Sequence, residues 1–117
     1  PAALVTGLSY TFSVSGNAKI FVSFVVSPYT NSCVPCFATH PAFYLKLDGG
    51  AFISTYEQAI QGGAATNIQI AASNLLQTGP GTHTIQLWGQ NIGFNSFGLS
   101  GNNSYSANYM MVQVIPQ

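Results

Sequence analysis

From Leu8 to Val14 apolar and hydroxyl-bearing residues alternate one for one: Leu8, Tyr10, Phe12 and Val14 against Ser9, Thr11 and Ser13. Successive side chains of a strand point to opposite faces, so this pattern predicts a half-buried strand. Ser15-Gly16-Asn17 follows as a turn. Lys19 to Ser27 predicts a second strand of different character, with Ile20, Val22, Phe24 and Val26 on one face and Phe21 and Val25 on the other. A strand of an antiparallel sandwich needs one apolar face only. The second requires another cover, and a neighbouring subunit is the simplest.

Pro28 to Pro41 reads as a loop, long enough to suggest a functional role. Phe43 to Leu47 predicts a strand, Asp48-Gly49-Gly50 a turn, and Ala51 to Thr55 the hairpin partner. Tyr56 to Ile60 fits either a short helical turn or more strand, and Thr66 to Ile70 alternates again. Ser73 to Gln77 has room for one helical turn. Thr78-Gly79-Pro80-Gly81 breaks the chain before the clean strand Thr82 to Trp88. A Gly-, Asn- and Ser-rich loop, Gly89 to Asn103, precedes a last strand from Ser106 to Ile115. Seven to ten short strands separated by turn residues predict an all-β, antiparallel β-sandwich of jelly-roll topology, formed as a single domain over residues 1–117.

Composition sharpens this picture. Only Lys19, Lys46, Asp48 and Glu57 carry formal charge, and the net charge is zero, whereas soluble domains devote about a quarter of their residues to charge. Phosphate recognition needs clustered Lys and Arg, so nucleic acid is not an expected partner. The apolar run Ile20 to Val26 is interrupted by Ser23 and falls short of the roughly 20 residues of a spanning helix, so membrane insertion is not expected either. The opening at Pro1 shows no signal-peptide pattern and reads as a processed or excised start.

The inventory for catalysis is thin. Acid–base hydrolysis places two carboxylates about a bond, and Asp48 and Glu57 are the whole supply. Asp48 sits where a turn favours Asp for backbone reasons. His40 and His83 lack a nucleophile elbow. No enzyme activity, metal or cofactor is expected. Cys33 and Cys36 form a Cys-Val-Pro-Cys element. A zinc site would need two more ligands, for which only His40 and His83 exist, and a redox pair would need a helix N-terminus. A small disulfide stapling the loop suits the pair best, with two unpaired thiols as the alternative, and an oxidising compartment fits the former.

Aromatic and amide chemistry is abundant: eight Phe, six Tyr and one Trp accompany many Asn and Gln. Flat apolar faces beside neutral hydrogen-bonding groups suit carbohydrate or protein contact. Tyr29, Trp88, Phe94, Phe97 and Tyr105 lie in or beside the expected loops and are the candidate ligand contacts, although an aromatic ending a strand, such as Trp88, equally suits a core or interface. Asn102-Asn103-Ser104 matches a glycosylation sequon, a pattern frequent by chance.

The strand Leu-Ser-Tyr-Thr-Phe-Ser-Val-Ser-Gly, the hairpin Phe-Tyr-Leu-Lys-Leu-Asp-Gly-Gly, the strand Gly-Pro-Gly-Thr-His-Thr-Ile-Gln-Leu-Trp and the closing Tyr-Met-Met-Val-Gln-Val-Ile-Pro follow one another in that order. Together they resemble the C1q/TNF-like trimeric jelly roll of phage fibre heads and bacterial collagen-like surface proteins. The chain lacks the aromatic signature and the calcium-type acidic residues of the animal members, and the Cys-Val-Pro-Cys loop has no place in that pattern. The resemblance implies a homotrimer, with Phe21, Val25, Tyr109, Met110 and Met111 as candidate subunit interface.

The expected function is accordingly non-enzymatic. It is an extracellular oligomerisation and receptor-recognition domain on a virion or cell surface, the trimeric head of a fibre or surface protein that binds cell-surface glycan or protein. A purely structural subunit (virion decoration, trimerisation cap or extracellular filament protein) and a monomeric carbohydrate-binding module are the alternatives.

Overall fold

The computed structural model describes residues 2–30, 41–57, 66–67, 69–91, 98–99 and 108–117. These residues form ten strands: β1 (Ala3–Val14), β2 (Ala18–Val26), β3 (Pro28–Thr30), β4 (Pro41–Leu47), β5 (Phe52–Glu57), β6 (Thr66–Asn67), β7 (Ile70–Thr78), β8 (Gly81–Asn91), β9 (Gly98–Leu99) and β10 (Tyr109–Pro116). One sheet has the order β1-β8-β4-β5, a second β10-β2-β7, and a small third β6-β3-β9. Every pairing is antiparallel. The two larger sheets pack face to face as a β-sandwich, and the chain passes between sheets at most connections.

Alternation explains the packing. Along β2 burial switches with every residue, and Ile20, Val22, Phe24 and Val26 are fully enclosed. The opposing sheet contributes Leu8 and Phe12 from β1, Phe43 and Leu45 from β4, and Ile85 and Leu87 from β8 to the same cluster. Phe24 and Phe43 bridge the two layers with ring centroids 6.1 Å apart. Gly89 lies opposite Phe43 in register, and a Cβ there would come within 3.3 Å of the Phe43 ring. Tyr10 shares the inward side of β1 with the buried Leu8 and Phe12 yet is 51% exposed; its ring stacks on Phe12 at 6.2 Å.

Three expectations from the sequence need correction. Ser73 to Gln77 is not a helical turn but the middle of β7, paired residue by residue with β2. The core on one side and the β2 ladder hold this weakly patterned stretch extended, overriding local preference. Residues 28–30, expected as loop, form β3, which pairs with both β6 and β9. Residues 89–91, expected to open a loop, continue β8 along β4.

Between β4 and β5, Asp48 and Gly49 both adopt positive φ, 54° and 69°, and the Gly50 N–H donates to the Leu47 carbonyl at 2.9 Å. This is the two-residue turn whose twist matches a hairpin, and it favours Asp-Gly because both positions lie in the left-handed region.

Candidate functional site

The outward faces of the two larger sheets differ sharply, and the difference follows from their sequences. On β10-β2-β7 the register lines up four outward rows: Tyr109–Val25–Ala71, Met111–Ser23–Ser73, Gln113–Phe21–Leu75 and Ile115–Lys19–Gln77. Met111 is 58% exposed, Leu75 53%, Tyr109 50% and Ile115 38%. Seven of these twelve positions are apolar or aromatic, with at least one on each of the three strands, and Lys19 is the one charge. Single exposed apolar residues are ordinary, but a contiguous patch marks an interaction surface.

Four of the five interface residues expected from the sequence, Phe21, Val25, Tyr109 and Met111, come together here. Met110 does not: it points inward and packs against the core with Val112 and Val114. In a strand adjacent residues cannot share a face, so the Met110–Met111 pair is divided between interior and surface. Leu75, Ala71 and Ile115 share this face and were not among the residues expected there. The signal for β7 was weak because Asn74 falls on its inward side, where alternation calls for an apolar residue; its side-chain carbonyl accepts the Leu75 N–H at 2.9 Å.

The outward face of β1-β8-β4-β5 is built from other materials. Thr11 and Thr84 hydroxyls meet at 2.9 Å, as do those of Ser13 and Thr82. Further along the same face Tyr44, Phe52 and Trp88 form an aromatic cluster, with centroids 5.3 Å apart for Tyr44–Phe52 and 5.5 Å for Phe52–Trp88. The Trp88 Nε1–H donates to Gln86 Oε1 at 3.2 Å. Trp88, a candidate ligand contact, is therefore on an outward face in mid-sheet. Tyr29 lies in β3, where its backbone pairs with Asn67 and Gly98. Phe94, Phe97, Tyr105, Cys33, Cys36 and His40 lie outside the described residues.

At the end of the sandwich a polar latch joins three segments. The Asp48 N–H donates to the Thr84 carbonyl at 2.9 Å, and the Thr84 N–H donates to Asp48 Oδ1 at 2.8 Å, so Asp48 extends the β4–β8 ladder by its own side chain. His83 Nδ1 lies 2.6 Å from Asp48 Oδ2, and Nε2 lies 2.8 Å from the Gly79 carbonyl. Both partners only accept, so the ring satisfies both as the doubly protonated imidazolium. The hydrogen bond to Asp48, then that to Gly79, holds His83 above its ordinary pKa of 6.5. The hydrogen bond from His83, with that from the Thr84 N–H, holds Asp48 below its ordinary 3.8. A general base needs an open ring nitrogen. Here Nε2 is capped by Gly79, so the pair fastens turns together. Among the described residues no three His, Cys, Asp or Glu side chains are grouped to hold a metal.

Comparison with known proteins finds no match among protein-family models, curated proteins or solved structures.

Proposed function

We propose that this chain is a non-enzymatic extracellular module that assembles with copies of itself through the outward face of β10-β2-β7, three around an axis, and recognises cell-surface glycan or protein with surface left outside that contact. The observation that carries the reading is that face itself, in which Tyr109, Met111 and Ile115 on β10 and Leu75 on β7 stand exposed on either side of Phe21 and Val25 on β2. The two packed antiparallel sheets, β1-β8-β4-β5 and β10-β2-β7, support the sandwich in this reading; β10 pairs with β2 and not with β1, so the C1q/TNF-like part rests on the sequence resemblance.

Magnitudes favour association over a wetted monomer. A standard interface buries about 800 Å² per partner. If roughly 500 Å² of that were apolar on each side, about 25 kcal/mol of gross gain would follow at ~25 cal/mol per Å². Association costs on the order of 4–15 kcal/mol. The near absence of charge points to the same occupant. A surface with one Lys and no acid offers little to select an oppositely charged partner, while two copies of it bring Lys19 as their one like charge.

Sedimentation equilibrium on the purified chain tests the reading. Three times the chain mass at micromolar concentration is the expected result, and Met111→Asp should return a folded monomer. A wild-type chain that sediments as a monomer at that concentration overturns it, and an open-ended fibre replaces the closed trimer with the filament alternative.

A further inference from the structure

The second outward face carries a site of its own. Lys46 on β4 faces Phe52 on β5 and Gln86 on β8, while Tyr44, two residues earlier, faces Trp88. The Lys46 ammonium lies 4.8 Å from the Phe52 ring centroid and 4.7 Å from that of Trp88. A flexible, hydrated lysine is thus fixed between two aromatic faces. Cation–π attraction of this kind holds the charge in place without neutralising it. The chain has just two acidic side chains to offer. Asp48 is committed to His83, and the Glu57 backbone pairs with Ala42, four residues along β4 from Lys46, or roughly 13 Å at the rise of a strand.

We propose that this ledge binds a carboxylated sugar. Each component of such a ligand has a counterpart here. The ammonium takes the carboxylate as a charge-assisted hydrogen bond. The aromatic side chains, with Phe52 44% exposed, take the apolar C–H face of the pyranose ring. The neutral hydroxyls and amide on the same sheet face, Thr11, Thr84 and Gln86, suit a polyhydroxylated partner better than a plain hydrophobic acid. In the proposed assembly the ledge lies on the sheet away from the subunit contact, so three copies would present three such sites. The inference rests on the recognition half of the proposed function and is independent of its assembly half, which the sedimented mass reports separately.

Trp88 is the single tryptophan, so its fluorescence reads the site directly. The probes are 3′-sialyllactose, a glucuronate-terminated disaccharide, and lactose as the neutral control. At least one acidic probe should change Trp88 emission saturably at millimolar concentration, with lactose about tenfold weaker. Lys46→Gln should weaken the acidic probe about tenfold and Phe52→Ala about fivefold, with sedimented mass and thermal unfolding unchanged in Lys46→Gln. The proposal is overturned if neither acidic probe binds, if lactose binds equally well, or if Lys46→Gln binds like wild type. The last result would leave the lysine as a cover for aromatic surface.

Discussion

The two outward faces of this sandwich come from strands that alternate in the same way, yet they answer to water in opposite terms. On β1 and β8 the outward positions hold Ser9, Thr11, Ser13, Thr82 and Thr84, and the hydroxyls bond across the strands. Water can wet that part of the face, while Tyr44, Phe52 and Trp88 form an aromatic cluster further along it. On β10, β2 and β7 the outward positions mix Tyr109, Met111, Ile115, Phe21, Val25, Ala71 and Leu75 with Ser23, Ser73, Gln113, Lys19 and Gln77, and Tyr109, Met111, Leu75 and Ile115 stand exposed. One face carries its own hydroxyl pairs along β1 and β8; the other leaves these four side chains exposed to water. Alternation marks a strand, and the identity of the residues on its second face tells whether the strand needs a partner.

The comparison can be broken most severely from inside. Phe24→Ala removes the ring that meets Phe43 across the layers and should cost about 3–5 kcal/mol of folding stability, read by urea denaturation. Both faces would be lost together, as layers of one core. Changes on the apolar face should act on assembly alone. Leu75→Asp with Met111→Asp should raise the dissociation constant at least about 100-fold, or roughly 3 kcal/mol, while circular dichroism of the monomer stays that of a sheet. Unfolding instead would show that these residues complete the single chain's own core.

The latch at the end of the sandwich titrates in both directions. His83 has a raised pKa in the folded chain, so its contribution is full below the unfolded value and is lost as pH rises through the folded one. Asp48 has a lowered pKa, so its contribution is present above the unfolded value and is lost as pH falls through the folded one. Thermal stability should therefore form a plateau whose alkaline shoulder lies above 6.5 and whose acid shoulder lies below 3.8. In His83→Gln the alkaline shoulder should vanish, and a shoulder unchanged in that variant would assign the titration elsewhere. The smallest effect belongs to the polar face. Thr11→Ala breaks one exposed hydroxyl pair that water replaces, and should shift stability by about 0.5 kcal/mol or less with no change in sedimented mass.

Much of this molecule is legible in the chain because strand periodicity is local. The inward set of β2, the hydroxyl face of β1, the Asp48-Gly49 turn and the double-sided character of Phe21 and Val25 all follow from side chains one and two residues apart. The mixed stretch Ser73 to Gln77 lacked that signal: Asn74 interrupts the inward series, and only pairing with β2 made it a strand. Leu75 went unremarked for the same reason, and Met110 was grouped with Met111 because two adjacent methionines read as one patch until the strand assigned them to opposite sides.

By itself, then, the order of residues determined that this is an all-β chain with four formal charges and with apolar residues on both sides of the strand from Lys19 to Ser27. Tertiary structure alone decided which strands became neighbours. Its register placed Leu75 beside Phe21, Lys46 between Phe52 and Trp88, and His83 within reach of an aspartate 35 positions away. The physical reason is that side-chain alternation repeats within a few residues, whereas pairing depends on contacts between segments far apart in the chain, each weak until the whole core closes.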